Sequence, residues 1–507
     1  MPAPTDYLNS TGMKRALAAG ISEFDAAAAA LAARPVKSPE DFLALEEDAE
    51  ALGRQLADEV RMAAILGAHV DRDLRKQAAR MTRQMLRDEG EQARIDTMGP
   101  RPIRVRMPGG GILPIKTPYL RPNRKGMVGR PRQKRGEGGS GRYAVLEMLG
   151  IRDGVTPLTR SKVSRMVVLA SSYAEALDQL KSEGLVMDVS TMVRIAVGTG
   201  AEMAAYRDQA LARALKEPLP ERSIVAGKRI RVSLDGGRAR TRQTHTNHRK
   251  KKNGRRSFEL HWREPRLITI DVLTDEGGKD PDVPPIYEVV LTEADEVFKT
   301  LTGLLRLIGA HQAAEVTFVA DGADWIWTRV DALITDAEIP VERVHKILDY
   351  YHASEHISDA LKACKNLKEE QRRALHRELS ELLLQPNGPT QVLERLAELA
   401  RGRRASKVNK EIKYLRKHLE HMKYAEWRAK KVPIGSGIVE SAVKRVLNQR
   451  FKASSLCWRE DHLLPLLVLR AMLKSGRWDD LIRAHMRRRY WLDHVIKTSR
   501  DQTSQAA

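Results

Sequence analysis

Apolar residues recur along this chain in two rhythms, one of helical and one of strand period, and the places where the rhythm changes divide it. From about Ser22 to Asp88, Ala and Leu alternate with charged residues at helical spacing, with a break at Arg34 to Val36. Ser38, Pro39, Glu40 and Asp41 read as an N-cap, a first-turn proline and an acidic first turn. Residues 1–95 are therefore predicted to be a helical region: a dimerisation arm, a DNA-binding bundle or an ordinary helical cap. In residues 96–142, IRVRMPGGGILPIKTPYL reads as two extended segments around Gly109 to Gly111, and the basic, glycine-rich RPNRKGMVGRPRQKRGEGGSGR reads as a linker. Residues 143–226 contain a helix from about Ser171, a break near Gly184 and a second helix from Val189, Ser190 and Thr191. That spacing fits a helix-turn-helix or a plain helical hairpin.

From residue 227 the period becomes that of strands. Runs at Arg229 to Leu234, Leu267 to Leu273 and Ile286 to Val290 predict three strands, followed by a helix from Glu293 to Ile308. A strand at Val316 to Ala320, a helix from Asp324 to Leu333 and a strand at Val344 to Leu348 complete residues 227–358. This order is that of a ribonuclease H-like α/β fold. Residues 359–432 are charged and helix-favouring and predict an all-helical insertion. Residues 433–497 return to amphipathic helices, and 498–507 form a polar tail expected to be disordered. The expected architecture is thus a ribonuclease H-like core with an all-helical insertion, preceded by helical and helix-turn-helix DNA-binding regions.

Composition narrows the partner. A formal net charge of +22 points to a polyanion. The two cysteines, Cys364 and Cys457, are too few for a disulfide framework and fit a reducing cytoplasm. No apolar run has the length of a membrane span, and MPAPTDYLNS has no signal-peptide pattern, so the expected setting is the cytoplasm, on the nucleoid when DNA is bound.

Three acidic residues change the picture most. Asp235 in KRIRVSLDGG and Asp321 in EVTFVADGADWIW each end a β-branched run and precede glycine, as when a strand delivers a carboxylate to a sheet edge. Glu440 in PIGSGIVESAVKRVLNQRFK falls in the first turn of a helix for which Ser436 is the N-cap, with Val439, Ala442, Val443 and Val446 on its apolar face. Glu440, Lys444 and Asn448 would share a stripe beside that face. Each Asp-Gly alone reads more readily as a turn; together the three carboxylates suit a pair of hard divalent cations clamping an in-line displacement at phosphorus.

Candidate DNA contacts surround this set. Nine Lys and Arg and no acidic residue lie between Arg238 and Arg256, and Arg238, Lys250, Lys251, Arg255 and Arg256 are the phosphate-contact candidates, with Asn253-Gly254 as a hairpin turn. Arg130 and Arg132, in Gly-Arg-Pro-Arg, resemble an AT-hook core; a solvated loop is the alternative. Ser190, Thr191 and Arg194 open the second helix of the helical pair, Lys444, Arg445 and Asn448 follow Glu440, and Trp458 is a candidate base-stacking ring. Asp349 and His352 are candidates for orienting the site. His352 and His356 lie one turn apart, yet no cysteine or zinc-protease glutamate accompanies them. Trp325 and Trp327 are expected to pack on the sheet.

The strings SLDGGRARTR, HWREPRLITIDVL, VTFVADGADWIWTRV, ILDYYHASEHI and PIGSGIVESAVKRVLNQRFK, with Trp458, resemble the DDE transposases of bacterial insertion sequences, specifically the ISKra type, from roughly Pro100 to Trp478. The resemblance implies a polynucleotidyl transferase with Asp235, Asp321 and Glu440 as its metal-binding triad, using Mg2+ with Mn2+ able to substitute. It implies double-stranded DNA, both transposon ends and target, as substrate, and a homodimer or larger assembly that joins two ends. Relatives often carry cysteine pairs where this chain reads TPYLRPNRKGMVGRPRQK, so a zinc module there is not expected. The competing readings are a metal-dependent nuclease that does not join strands and a domesticated DNA-binding regulator.

Overall fold

A computed structural model describes residues 10–123, 141–244, 257–364, 367–401, 405–452, 456–493 and 495–496. The chain forms two units, Met1–Ala196 and Val197–Ala507. Arg130, Arg132, Lys250, Lys251, Arg255 and Arg256, and the expected turn at Asn253-Gly254, lie outside the described residues.

The first unit opens with helices Ser10–Ala32, Pro39–Val70 and Arg72–Asp88. The Ser38 hydroxyl caps the second by accepting from the Asp41 amide at 3.1 Å, the role its sequence context suggests. Strands β1 (Arg94–Arg106) and β2 (Ile112–Asn123) then pair antiparallel, and β3 (Arg142–Tyr143) adds to β2. The buried Asp58 carboxylate fixes the turn between β1 and β2 by accepting from the amides of Gly109 and Gly111 at 3.1 and 2.9 Å. A helix at Tyr173–Ser182, a left-handed turn at Gly184 and a helix at Val189–Ala214 reproduce the expected helical pair.

The second unit is built on a five-stranded sheet. Its strands are β4 (Arg229–Gly236), β7 (Arg266–Leu273), β8 (Ile286–Val290), β9 (Glu315–Ala320) and β10 (Val344–Leu348), in the spatial order β10-β9-β4-β7-β8. The β4, β9 and β10 strands run parallel, while β7 is antiparallel to both β4 and β8. Both faces are covered, so that even polar strand residues such as Arg231, Ser233, Thr269, Asp271 and Thr317 are buried among the apolar ones. A second, three-stranded sheet continues from the ends of the inner strands β4 and β7: β5 (Ala239–Thr244) and β6 (Phe258–Arg263) form an antiparallel pair, and β11 (Trp458–Arg459) lies parallel to β5.

Helices Tyr350–Ala363, Glu369–Leu382, Gly388–Leu399, Ala405–Lys417 and Tyr424–Ala429 follow β10 and share a core that includes Ile357, Leu379, Val392, Leu396, Ile412 and Trp427. Val319, Ile347 and Leu348 of the sheet belong to the same core, so the helical insertion and the parallel half of the sheet pack as one body. Among the described residues no helix is long and apolar enough to cross a membrane.

Candidate active site

The site forms where the parallel strands end. Ser233 pairs with Val319, and Leu348 with Ala320. Carrying that register forward sets Asp235, Asp321 and Asp349 level on three neighbouring strands, and the alternation of a pleated strand sends their side chains to one face. The carboxylates feel one another. Burial pushes the Asp235 carboxyl up to about 6; the Gly236 amide, donating to Oδ1 at 2.6 Å, opposes this, and the charges of Asp321, Glu440 and Asp349 add to it.

Asp349 contributes more than its sequence context suggested. It is 3 % exposed, caps the Tyr350–Ala363 helix by accepting from the Tyr351 amide at 3.0 Å, and accepts a hydrogen bond from the Ser436 hydroxyl. The same hydroxyl contacts Glu440 Oε1 at 3.3 Å. Ser436 therefore precedes the Gly437–Val443 helix as expected, but its side chain does not cap that helix; it joins Asp349 to Glu440.

Ile434 and Gly435 of PIGSG serve the same junction. The Ile434 carbonyl accepts from the Tyr350 amide at 3.0 Å, and a Cβ on Gly435 would meet the Tyr351 ring at 2.9 Å. Glu440 is thereby returned to the strand ends and is exposed there.

Beyond Val443 the expected stripe is modified. Lys444–Asn448 form a π turn, which inserts a residue into the helical repeat and rotates the positions after it. Lys444 stays exposed, whereas Asn448 is half-buried and its Oδ1 has no hydrogen-bond partner. Arg445 donates to the Tyr287 hydroxyl at 3.2 Å and to the Ser441 carbonyl at 3.3 Å.

The insertion reaches the site through a group of rings that sequence reading missed. Trp327 Nε1 donates to the Asp321 carbonyl at 2.6 Å, and its ring stacks on His421 at 4.4 Å. The Tyr414 hydroxyl lies against Gly322, so close that a Cβ on that glycine would meet it at 1.9 Å. Burial and the charge of Asp321 push the Tyr414 hydroxyl up and keep it protonated. His418 is buried beside it and pushed down to about 4 by burial and by His421 and Lys417, so it is neutral at pH 7. Trp327 thus packs on the insertion rather than on the sheet, whereas Trp325 packs edge-on against Phe298 with the Arg266 guanidinium 4.6 Å above its ring. These partners lie about 90 positions apart, and no local spacing announces them.

The remaining candidates divide. His352 faces Glu355 at 3.5 Å rather than Asp349, and His356 bonds Glu411 at 2.6 Å while stacking on Tyr414 at 3.6 Å. Among the described residues, no group of three His, Cys, Asp or Glu side chains is drawn together closely enough to hold a metal.

Trp458 is corrected: it is 6 % exposed, packs on Phe451, donates to that residue's carbonyl at 3.3 Å and lies under Arg450. A ring so enclosed has no face for a base. In the first unit the Asp188 carboxylate accepts from the hydroxyls of Ser190 and Thr191 and from the Thr191 amide at 2.8 Å. These hydroxyls serve the helix start; Arg194 is exposed one turn on, as is Arg238 beyond Asp235.

No family model matches this chain, and no curated protein matches it. Among solved structures, the Drosophila P element transposase strand transfer complex aligns with 68% of this chain and 87% of that chain, at 13% identity and a TM-score of 0.24. A superposition that loose carries no functional weight.

Proposed function

We propose that this protein is a DNA transposase, a metal-dependent polynucleotidyl transferase with a ribonuclease H-like core of the bacterial insertion-sequence type. The observation that carries the reading is the row of Asp235, Asp321 and Asp349 on adjacent strand ends, with Glu440 joined to it through Ser436. The sheet order, with one inner strand antiparallel to its neighbours, supports it further.

Four carboxylates gathered at one edge repel both one another and a DNA phosphate. Burial is the main cause of the raised Asp235 pKa, and the neighbouring carboxylates add to it. All-oxygen donors of this kind fit Mg2+ or Mn2+, with Asp235, Asp321 and Glu440 as ligands and Asp349 orienting Glu440 through Ser436. The side chains would need to draw closer than they stand here. Bound cations would supply charge neutralisation and activation of the attacking oxygen.

The chain's own residues do the rest. Trp327 and Tyr414 hold the Asp321-Gly322 turn in place, while Arg238 and Lys444 are exposed for flanking phosphates. The +22 charge recruits DNA, and joining two ends calls for a dimer or larger assembly in the cytoplasm.

The test is a strand-transfer assay with Mg2+ on DNA from the edges of the element encoding this protein, with Asp321→Asn in parallel. Joined products from the unaltered protein alone are expected. Cleavage without joining would make it a nuclease, and metal-independent binding alone a regulator.

A further inference from the structure

Outside the carboxylate site, three exposed large apolar side chains of the described residues lie on one face of the β5–β6 pair. Trp262 is 61%, Leu260 49% and Phe258 46% exposed. Large apolar side chains at alternate positions of a strand normally face a core, so three of them turned to solvent on one strand need a partner. Their cross-strand neighbours are Arg240, Arg242 and Thr244, in the pairs Arg240↔Trp262, Arg242↔Leu260 and Thr244↔Phe258. The Arg240 guanidinium lies 5.9 Å from the Trp262 ring centre, and that of Arg242 lies 6.0 Å from the Phe258 ring centre. On the opposite face Ala239 and Thr241 of β5 are fully buried, whereas Glu259 and Arg263 of β6 are exposed.

The location of this face matters as much as its composition. The β4–β7 ladder ends at Gly236↔Arg266, and the β5–β6 ladder resumes at Ala239↔Arg263. The hairpin is therefore a continuation of the strand that carries Asp235. Gly237 anchors the joint: its amide donates to the Pro265 carbonyl at 2.8 Å, and a Cβ there would meet Leu447, just beyond Glu440, at 2.5 Å.

We infer that this face binds unpaired nucleotides next to the reacting phosphate, with bases stacked on Trp262 and Phe258 and phosphates held by Arg240 and Arg242. The inference rests on the DNA reading given above. A flat ring with a free face can stack on any base, whereas the bases inside a duplex have both faces covered by their neighbours. The alternating arginines match a phosphate backbone in charge, and nothing acidic shares their face of the ladder. A protein partner would be met by the same rings, yet the two guanidiniums set among them favour a polyanion.

The full-length protein, in EDTA so that no reaction occurs, would be titrated by fluorescence anisotropy into labelled oligo(dT) of about 16 nucleotides and into a duplex of equal length. Trp262→Ala is expected to weaken oligo(dT) binding about 10-fold or more while changing duplex binding less than about 2-fold, and Trp262→Phe to retain most of the affinity. Unchanged oligo(dT) binding by Trp262→Ala would overturn the inference, as would an equal loss of both ligands. A fall from oligomer to monomer in sedimentation, with oligo(dT) affinity intact, would instead make the face a contact between copies. If the unaltered protein bound neither ligand, the DNA reading itself would fail. If it bound duplex and joined strands while Trp262→Ala bound oligo(dT) normally, only the hairpin inference would.

Discussion

The central sheet and the β5–β6 hairpin are stretches of the same extended chain, separated by two residues after β4, yet opposite constraints hold them. The central strands are sealed on both faces, so each inward side chain is fixed by packing and the strand ends are rigid mounts for carboxylates. The hairpin is buried only at Ala239 and Thr241 of β5, while β6 is exposed at every position but His261, so its outer residues contribute little to stability and are free to serve a ligand. Rigidity at one end of the ladder and availability at the other are what a site needs when it must position a reaction and hold a long substrate.

The largest effect expected is at the row of carboxylates. Asp235→Asn should lower the strand-transfer rate by on the order of 10^3, the loss of several kcal/mol of transition-state stabilisation. In the absence of divalent cations the same change should raise the melting temperature at pH 7. The sign follows from the raised pKa: between about 4 and about 6 the folded state holds a proton that the unfolded state has released, so stability falls as pH rises through that window. The advantage of Asn at 235 should therefore vanish below about pH 4. Melting curves at pH 4 and pH 7 would check it, and an Asn variant no more stable at pH 7 would refute the cost of burying the charged Asp235 carboxylate beside its neighbours.

Next in size is a direct contest between the two sheets. Ile270→Ala in β7, almost fully buried, should cost about 2 to 5 kcal/mol in denaturant unfolding. Leu260→Ala in β6 should cost less than about 0.5 kcal/mol. Equal losses would mean that the outer hairpin face is structural.

Ser436→Ala should come third, with metal affinity down about 10- to 100-fold, because Asp349 and Glu440 lose their common hydrogen-bond partner. Titrating Mn2+ against activity would separate this from a loss of folding, since high metal should restore the rate. Smallest is Tyr414→Phe, which keeps the ring and removes the hydroxyl beside Gly322. Because that buried hydroxyl has no hydrogen-bond partner, its loss should change stability by less than about 0.5 kcal/mol, read as the melting midpoint.

The core was legible because β-branched and other apolar residues recur there at strand period. Runs such as Ile230 to Leu234 and Val316 to Ala320 show it, and an aspartate just after each stands out, although the burial of the polar residues between them, Arg231, Ser233 and Thr317, has no trace in the pattern. The stitching of those aspartates was hidden. Ser436 meets Asp349 across 87 positions and Trp327 meets His421 across nearly 100, and neither pairing leaves a periodic trace. The π turn after Val443 has the composition of an ordinary helix, so Asn448 was assigned to a stripe that the turn displaces. Trp458 misled because its neighbours in sequence are polar, while its neighbours in space are Phe451 and the alkyl and guanidinium parts of Arg450. Trp262 went unremarked because exposure on a hairpin face depends on what the opposite face packs against.

The hydrogen bond between the Tyr350 amide and the Ile434 carbonyl means that more than eighty residues of helix leave the sheet and return to it at a single point. A segment with closed ends behaves as a cassette. Because the entropy of closing a loop grows only with the logarithm of its length, the helices of such a cassette can be lengthened, shortened or exchanged in evolution at little cost to the sheet. Two conditions travel with every replacement: it must fill the core shared with Val319, Ile347 and Leu348, and it must present rings to Gly322 and Trp327 as Tyr414 and His421 do here, or the strand ends lose their support.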